Sequence, residues 1–170
     1  MSVLLAIPAA GLLAYAALHD LAVRTVPNWL PAVLLMVGAL ARLLDHSLIM
    51  GLCVAAVAFV LLFGIWAVGA MGGGDVKLWA ATVLLVPPVW QEQLGVLVHV
   101  VMAGGLLALL YMALSLVVKR PQGPRPRGYL SRLWRAERWR IRRRGPLPYA
   151  CAIAAGTVVA FLPEALSNLG

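Results

Sequence analysis

The chain has 170 residues, 63% of them hydrophobic and only 12% charged, with a mean hydropathy of +0.93. A soluble domain carries roughly 25% charge, and a chain this short cannot hide so much apolar surface inside a globule, so composition excludes an ordinary soluble fold and points to lipid as the solvent. The formal net charge of +8 would suit a nucleic-acid partner, but its placement along the chain argues for membrane topology instead.

Six apolar stretches follow one another. Met1–Leu18 carries no charge, lacks the basic start of a secretory signal, and is followed by further spans, so it reads as a mature helix. Trp29–Leu44 is interrupted only by Arg42. Ser47–Met71 and Leu94–Val118 are long and almost uncharged. Val76–Trp90 is short, begins with Lys77, and should end or bend at Pro87-Pro88, because proline cannot donate the next helical hydrogen bond. The sixth stretch runs from about Leu147 to Leu162. A bilayer core of about 30 Å needs roughly 20 helical residues, so the second, fourth and sixth spans are short and the fourth is the weakest. The fold class expected is an all-α polytopic bundle of about six transmembrane helices, forming one domain over residues 1–170 with a basic loop at 119–146.

With the N-terminus outside, the connections at 19–28, 72–75 and 119–146 face the cytoplasm. Thirteen of the 14 Lys and Arg residues then lie on that side, including Lys77, and only Arg42 lies opposite. The bias places both termini outside. In the basic loop, Tyr129–Arg144 predicts an interfacial helix, with Leu130, Leu133, Trp134 and Ile141 among arginines, resting on anionic lipid. Cys53 and Cys151 lie in apolar runs without CxxC spacing, which predicts buried structural thiols and neither a zinc site nor a disulfide.

Of the six acids, Asp45, Glu92 and Glu164 fall in or near outer connections or the tail, and Glu137 sits among arginines that can pair with it. Asp20 and Asp75 border the first and fourth spans at one membrane depth. Asp20 follows a helix C-terminus, where the macrodipole disfavours negative charge, and could simply pair with Arg24. Asp75 could simply cap a helix after the turn Gly72-Gly73-Gly74. Ionisable groups bordering hydrocarbon are nonetheless functional by default, and the two could meet if the first and fourth helices pack together. Two close carboxylates share one proton near neutrality. One could then take a proton from water while the other polarises a carbonyl. No serine sits in a G-x-S-x-G setting. His19, His46 and His99 do not cluster, and His99 reads as a packed polar residue.

At these residues the sequence resembles the type IV prepilin peptidases. Asp20-x-x-x-Arg24-x-Val26-Pro27-Asn28 looks like their D…R.(I/V)PN segment. Gly72-Gly73-Gly74-Asp75, with Lys77 after it, looks like their GxGD motif, shared distantly with presenilin. Pro148-Tyr149-Ala150-Cys151-Ala152-Ile153-Ala154 is similar to their PYG.AIA stretch, with Ala150 where glycine is usual. The resemblance implies an aspartyl endopeptidase of the bacterial cytoplasmic membrane, with Asp20 and Asp75 catalytic and no metal or cofactor. It also implies that Arg24, Pro27, Asn28, Gly72, Gly73, Gly74 and Lys77 bind substrate or position loops. Pro27-Asn28 should cap the second helix, and the glycines should let a substrate backbone approach closely.

The implied substrate is a prepilin whose basic leader is removed at the cytoplasmic face. The long N-terminal region with paired CxxC motifs is not present, so the chain is similar to the short Flp-type peptidases, and S-adenosylmethionine-dependent methylation is not expected. The expected partners are the prepilin and anionic lipid, with no nucleic acid. Two other readings stand beside this one: a GxGD protease acting on other transmembrane substrates, and a non-enzymatic transport or assembly component.

Overall fold

The computed structural model describes residues 3–118, 128–143 and 147–167. Among them it is all-helical: α1 Val3–Val23, α2 Trp29–Leu44, α3 Leu48–Ala67, α4 Gly73–Leu85, α5 Trp90–Val117, α6 Tyr129–Arg142 and α7 Tyr149–Ser167. The all-α membrane bundle expected from composition is what forms. Three of these helices are long and apolar enough to cross a bilayer, over Leu5–Val23, Leu48–Ala67 and Trp90–Val117. Trp29–Leu44 and Tyr149–Phe161 are apolar but shorter. Of the basic loop, 119–127 and 144–146 lie outside the described residues, as does Ser2, and the side chains of Leu130 and Glu164 are not described.

The outward face of the bundle is apolar, as lipid requires. α3 buries only Gly51, Ala55 and Leu62, while Ile49, Val60 and Leu61 are exposed. The same rule corrects the expectation for the thiols. Cys53 is exposed on α3 and Cys151 is only half-buried, both unbridged, because an apolar helix face in a membrane can turn to lipid as readily as to a core. The core lies where α1, α2, α4, α5 and α7 converge, around Leu13, Leu30, Leu34, Leu78, Leu85, Val100 and Ile153.

Two helices are shaped by neighbours rather than by their own sequence. α4 has 13 residues, about 20 Å of helix, and stops before Pro87-Pro88 as expected. It is therefore too short to span about 30 Å of hydrocarbon, and its terminal carbonyls need partners within the protein. Gln93 supplies them, its Nε2 donating to the carbonyls of Val83, Val86 and Pro87 at 3.1, 3.2 and 3.1 Å. Arg42 adds its guanidinium, 3.5 Å from the Leu85 carbonyl and 3.1 Å from Asp45 Oδ2. Arg42 is fully buried, so the cation that interrupts the second apolar stretch is a buried cap for α4 that pairs with Asp45.

α7 packs along both α1 and α5. Its small residues make this possible, and Gly156 is the tightest point: a Cβ there would lie 2.5 Å from both the Cα and the N of Val100. His99 next to it donates Nδ1–H to the Gly95 carbonyl of its own helix at 2.6 Å, the packed polar role expected of it.

Gly156→Ala is therefore expected to force α5 and α7 apart and to destabilise the bundle by about 1–3 kcal/mol. A lowered thermal midpoint in detergent is the readout, and an unchanged midpoint would show that the contact is looser than this.

Candidate active site

α1 continues through His19 and Asp20 to Val23, one turn beyond the expected end, because Leu21, Ala22 and Val23 sustain the helix. Asp20 thus sits in its last turn, 5% exposed. The chain then turns at Arg24, whose φ of 63° is left-handed and whose N–H donates back to the Asp20 carbonyl at 2.8 Å. His19 Nδ1–H fixes the same turn on the Thr25 carbonyl at 2.7 Å.

Asp75 lies in the first turn of α4, three residues after the N-cap Gly72. Its carboxylate reaches back to the Gly72 amide, the acidic half of a capping box. The capping role considered from the sequence is thus real, in a modified form. The Asp20 charge also bears on Asp75, second to burial. α1 and α4 share no extensive interface. They meet because α2 and α7 each pack against both, so the carboxylates are brought together by common neighbours and not by the direct pairing expected.

The glycines serve these contacts. A Cβ on Gly74 would lie 3.2 Å from Val26 Cβ, one on Gly73 3.3 Å from the Trp66 indole nitrogen, and one on Gly72 2.8 Å from the Asp75 carboxylate. Gly74 thus lets Val26, on the segment between α1 and α2, lie against the start of α4. Asn28 differs from expectation. Its backbone is already helical and its side chain does not cap α2. Instead its Oδ1 accepts from Lys77 Nζ at 3.1 Å, tying the first loop to α4. Pro27, half-buried, accepts from the Leu30 amide at 3.1 Å and opens α2.

Glu137, Tyr111 and Arg140 complete this end, and of these only Glu137 is read from the sequence, as paired among arginines. Glu137 of α6 accepts from Arg24 and from the Tyr111 hydroxyl of α5 through one oxygen, and from Arg140 at 3.2 Å through the other. Arg140 also donates to the Leu21 and Ala22 carbonyls, at 3.1 and 3.4 Å. The basic helix therefore clasps the end of α1, one turn from Asp20. Glu137 paired among arginines was legible from its spacing to Arg140. Tyr111 in an otherwise apolar span was the one available hint of the rest. Finally, the Ala150 amide at the start of α7 donates to Asp20 Oδ2 at 3.2 Å. A cavity of about 440 Å³ lies under α6, lined by Leu18, Ala22, Leu114, Leu133, Trp134 and Ile141 among others. Leu18 and Ala22 fall on the face of α1 opposite Asp20, given 100° per helical residue.

Asp75 precedes the hydrophobic segment that begins at Val76. Burial first, and the Asp20 charge second, push its carboxyl up from 3.8 to about 7. No group of three or more His, Cys, Asp or Glu side chains that could hold a metal ion occurs among the described residues.

An all-helical bundle with an apolar outward face defines the class as a polytopic membrane protein. A sequence profile of the type IV leader peptidase family matches residues 7–114, well over half the chain, and the chain belongs to that family: it is a membrane peptidase. Nothing among the curated proteins or the solved structures matches it.

A carboxyl raised on folding means that the folded chain keeps a proton which the unfolded chain has released between about pH 4 and pH 7. Folding stability should therefore fall as pH rises through that window. Asp75→Asn abolishes this titration, so its thermal midpoint should gain on wild type between about pH 5 and pH 8. Parallel pH dependences of the two proteins would show that Asp75 ionises normally.

Proposed function

We propose that this peptidase is an aspartyl endopeptidase that removes the basic leader of Flp-like, type IV-like prepilins at the cytoplasmic face of the bacterial inner membrane. The observation that carries the reading is the influence of the Asp20 charge on Asp75, second to burial, at the end of the bundle that also bears the basic helix. Like charges held together share a proton near neutrality. The ionised carboxylate removes a proton from water, and the water oxygen bonds to the scissile carbonyl carbon. The protonated carboxyl meanwhile gives its proton to the carbonyl oxygen. When the resulting diol breaks its C–N bond, the proton taken from water passes to the leaving nitrogen. The other carboxylate recovers a diol proton and restores the starting state.

Arg24, Pro27, Asn28 and Lys77 act in this reading as loop-positioning residues, and Gly72, Gly73 and Gly74 as the spaces into which the two loops lock. The chain crosses the membrane several times as a single domain, with both termini outside and the arginines of α6 on the cytoplasmic side. Trp134 and Trp139 are 70% and 49% exposed on that helix, which suits it to the headgroup region of an anionic leaflet. The chemistry calls on no cofactor.

Leader removal from a co-expressed Flp-type prepilin, followed by gel mobility, tests the dyad. Asp20→Asn and Asp75→Asn should each lower cleavage by at least about a hundredfold, the scale of a lost general acid or base, while accumulating in the membrane like wild type. Normal cleavage by both variants would leave the aspartates as structural groups and end the aspartyl reading. Cleavage by the wild type of unrelated transmembrane proteins, with the prepilin untouched, would move the substrate elsewhere.

A further inference from the structure

The environments of the two carboxylates are not equivalent. Asp20 occupies the C-terminal turn of α1, where the helix dipole works against its charge. Two contacts offset that. Arg140 covers the α1 terminal carbonyls of Leu21 and Ala22, and α7 aims its own N-terminus at the carboxylate through the Ala150 N–H, 3.2 Å from Oδ2. Ala150 is fully buried, and an amide in the first turn of a helix has no intrahelical acceptor, so this donor is committed to Asp20.

The charged and titratable groups facing Asp20 are His19 on α1, Arg24 just after it, Asp75 of α4, Arg140 of α6 and Cys151 of α7. Arg24 and Arg140, each also paired with Glu137, join the Ala150 N–H in offsetting the cost of burying this carboxylate. Among the described residues, the groups facing Asp75 are the Asp20 charge, the Gly72 amide of its own turn and the Cys151 thiol of α7, none of them a cation.

Resting on the aspartyl peptidase reading, we propose that the Ala150 N–H is a positioning group that fixes Asp20 as the ionised member of the pair, so that Asp20 is the base and Asp75 the acid. In the cycle described above, Asp20 takes the water proton and later yields it to the leaving nitrogen. Asp75 protonates the carbonyl oxygen and recovers a proton from the diol. α7 lies beyond residue 114, outside the segment matched by the family profile, and it still contributes the contact that sets these roles.

The test is the pH dependence of kcat/KM for leader removal, whose acid limb reports the base of the free enzyme. Ala150→Pro deletes the donor at a position where no helical hydrogen bond is lost. Because proline also restricts Tyr149, a second variant carries the α-hydroxy analogue of alanine at position 150, which replaces the N–H by an ester oxygen with little change of shape. Ala150→Gly keeps the amide. The proposal expects the acid limb to move up by about one pH unit in the ester variant, and in Ala150→Pro if it folds, while staying in place in Ala150→Gly. An unmoved limb in the ester variant, or activity lost at every pH, overturns the role assigned to Ala150. Failure of the underlying reading would look different: cleavage would be indifferent to Asp20→Asn and Asp75→Asn.

Discussion

Two buried carboxylates within electrostatic reach of each other, at the edge of a low-dielectric bundle, are costly to charge together near neutrality. Several contacts at this end of the molecule hold the elements that carry them. α2 and α7 bridge α1 and α4, Gly74 lets Val26 lie against the start of α4, and Lys77 ties Asn28 to the same helix. Burial first, and the Asp20 charge second, push the Asp75 carboxyl up to about 7. A group poised there changes protonation at little cost, the condition that general acid–base chemistry needs.

The opposite end solves a different problem with similar means. A short helix that stops inside the hydrocarbon layer exposes carbonyls to a solvent that cannot satisfy them. Arg42 and Gln93 reach carbonyls at this end from α2 and α5, so α4 can end early. The buried Arg42 is accordingly an architectural cation.

Much of this was readable in the residues themselves. The spans of α2 and α3, the stop at Pro87-Pro88, the basic helix and the pairing of Glu137 follow from hydropathy, proline chemistry and i,i+3 spacing, which are properties of neighbours along the chain. Asp20 and Asp75 stood out because charge at the border of a span is rarely idle. The thiols and the glycines read less well. A cysteine in an apolar run is equally at home facing core or lipid, and a glycine signals close approach without saying what approaches.

By itself the sequence determined the solvent, the helices and their approximate limits, and the two acids at one depth, because each depends on local composition and period. Only the tertiary structure decided who their partners are. That Asp20 receives the Ala150 amide from 130 residues away, that Glu137 holds Arg24 and Tyr111, and that α2 and α7 bring α1 and α4 together all follow from helix packing. Packing of this kind in lipid is governed by small residues and close surface fit, as at Gly156 against Val100. Such a fit exists only once two helices have met, and no pattern within either one announces it.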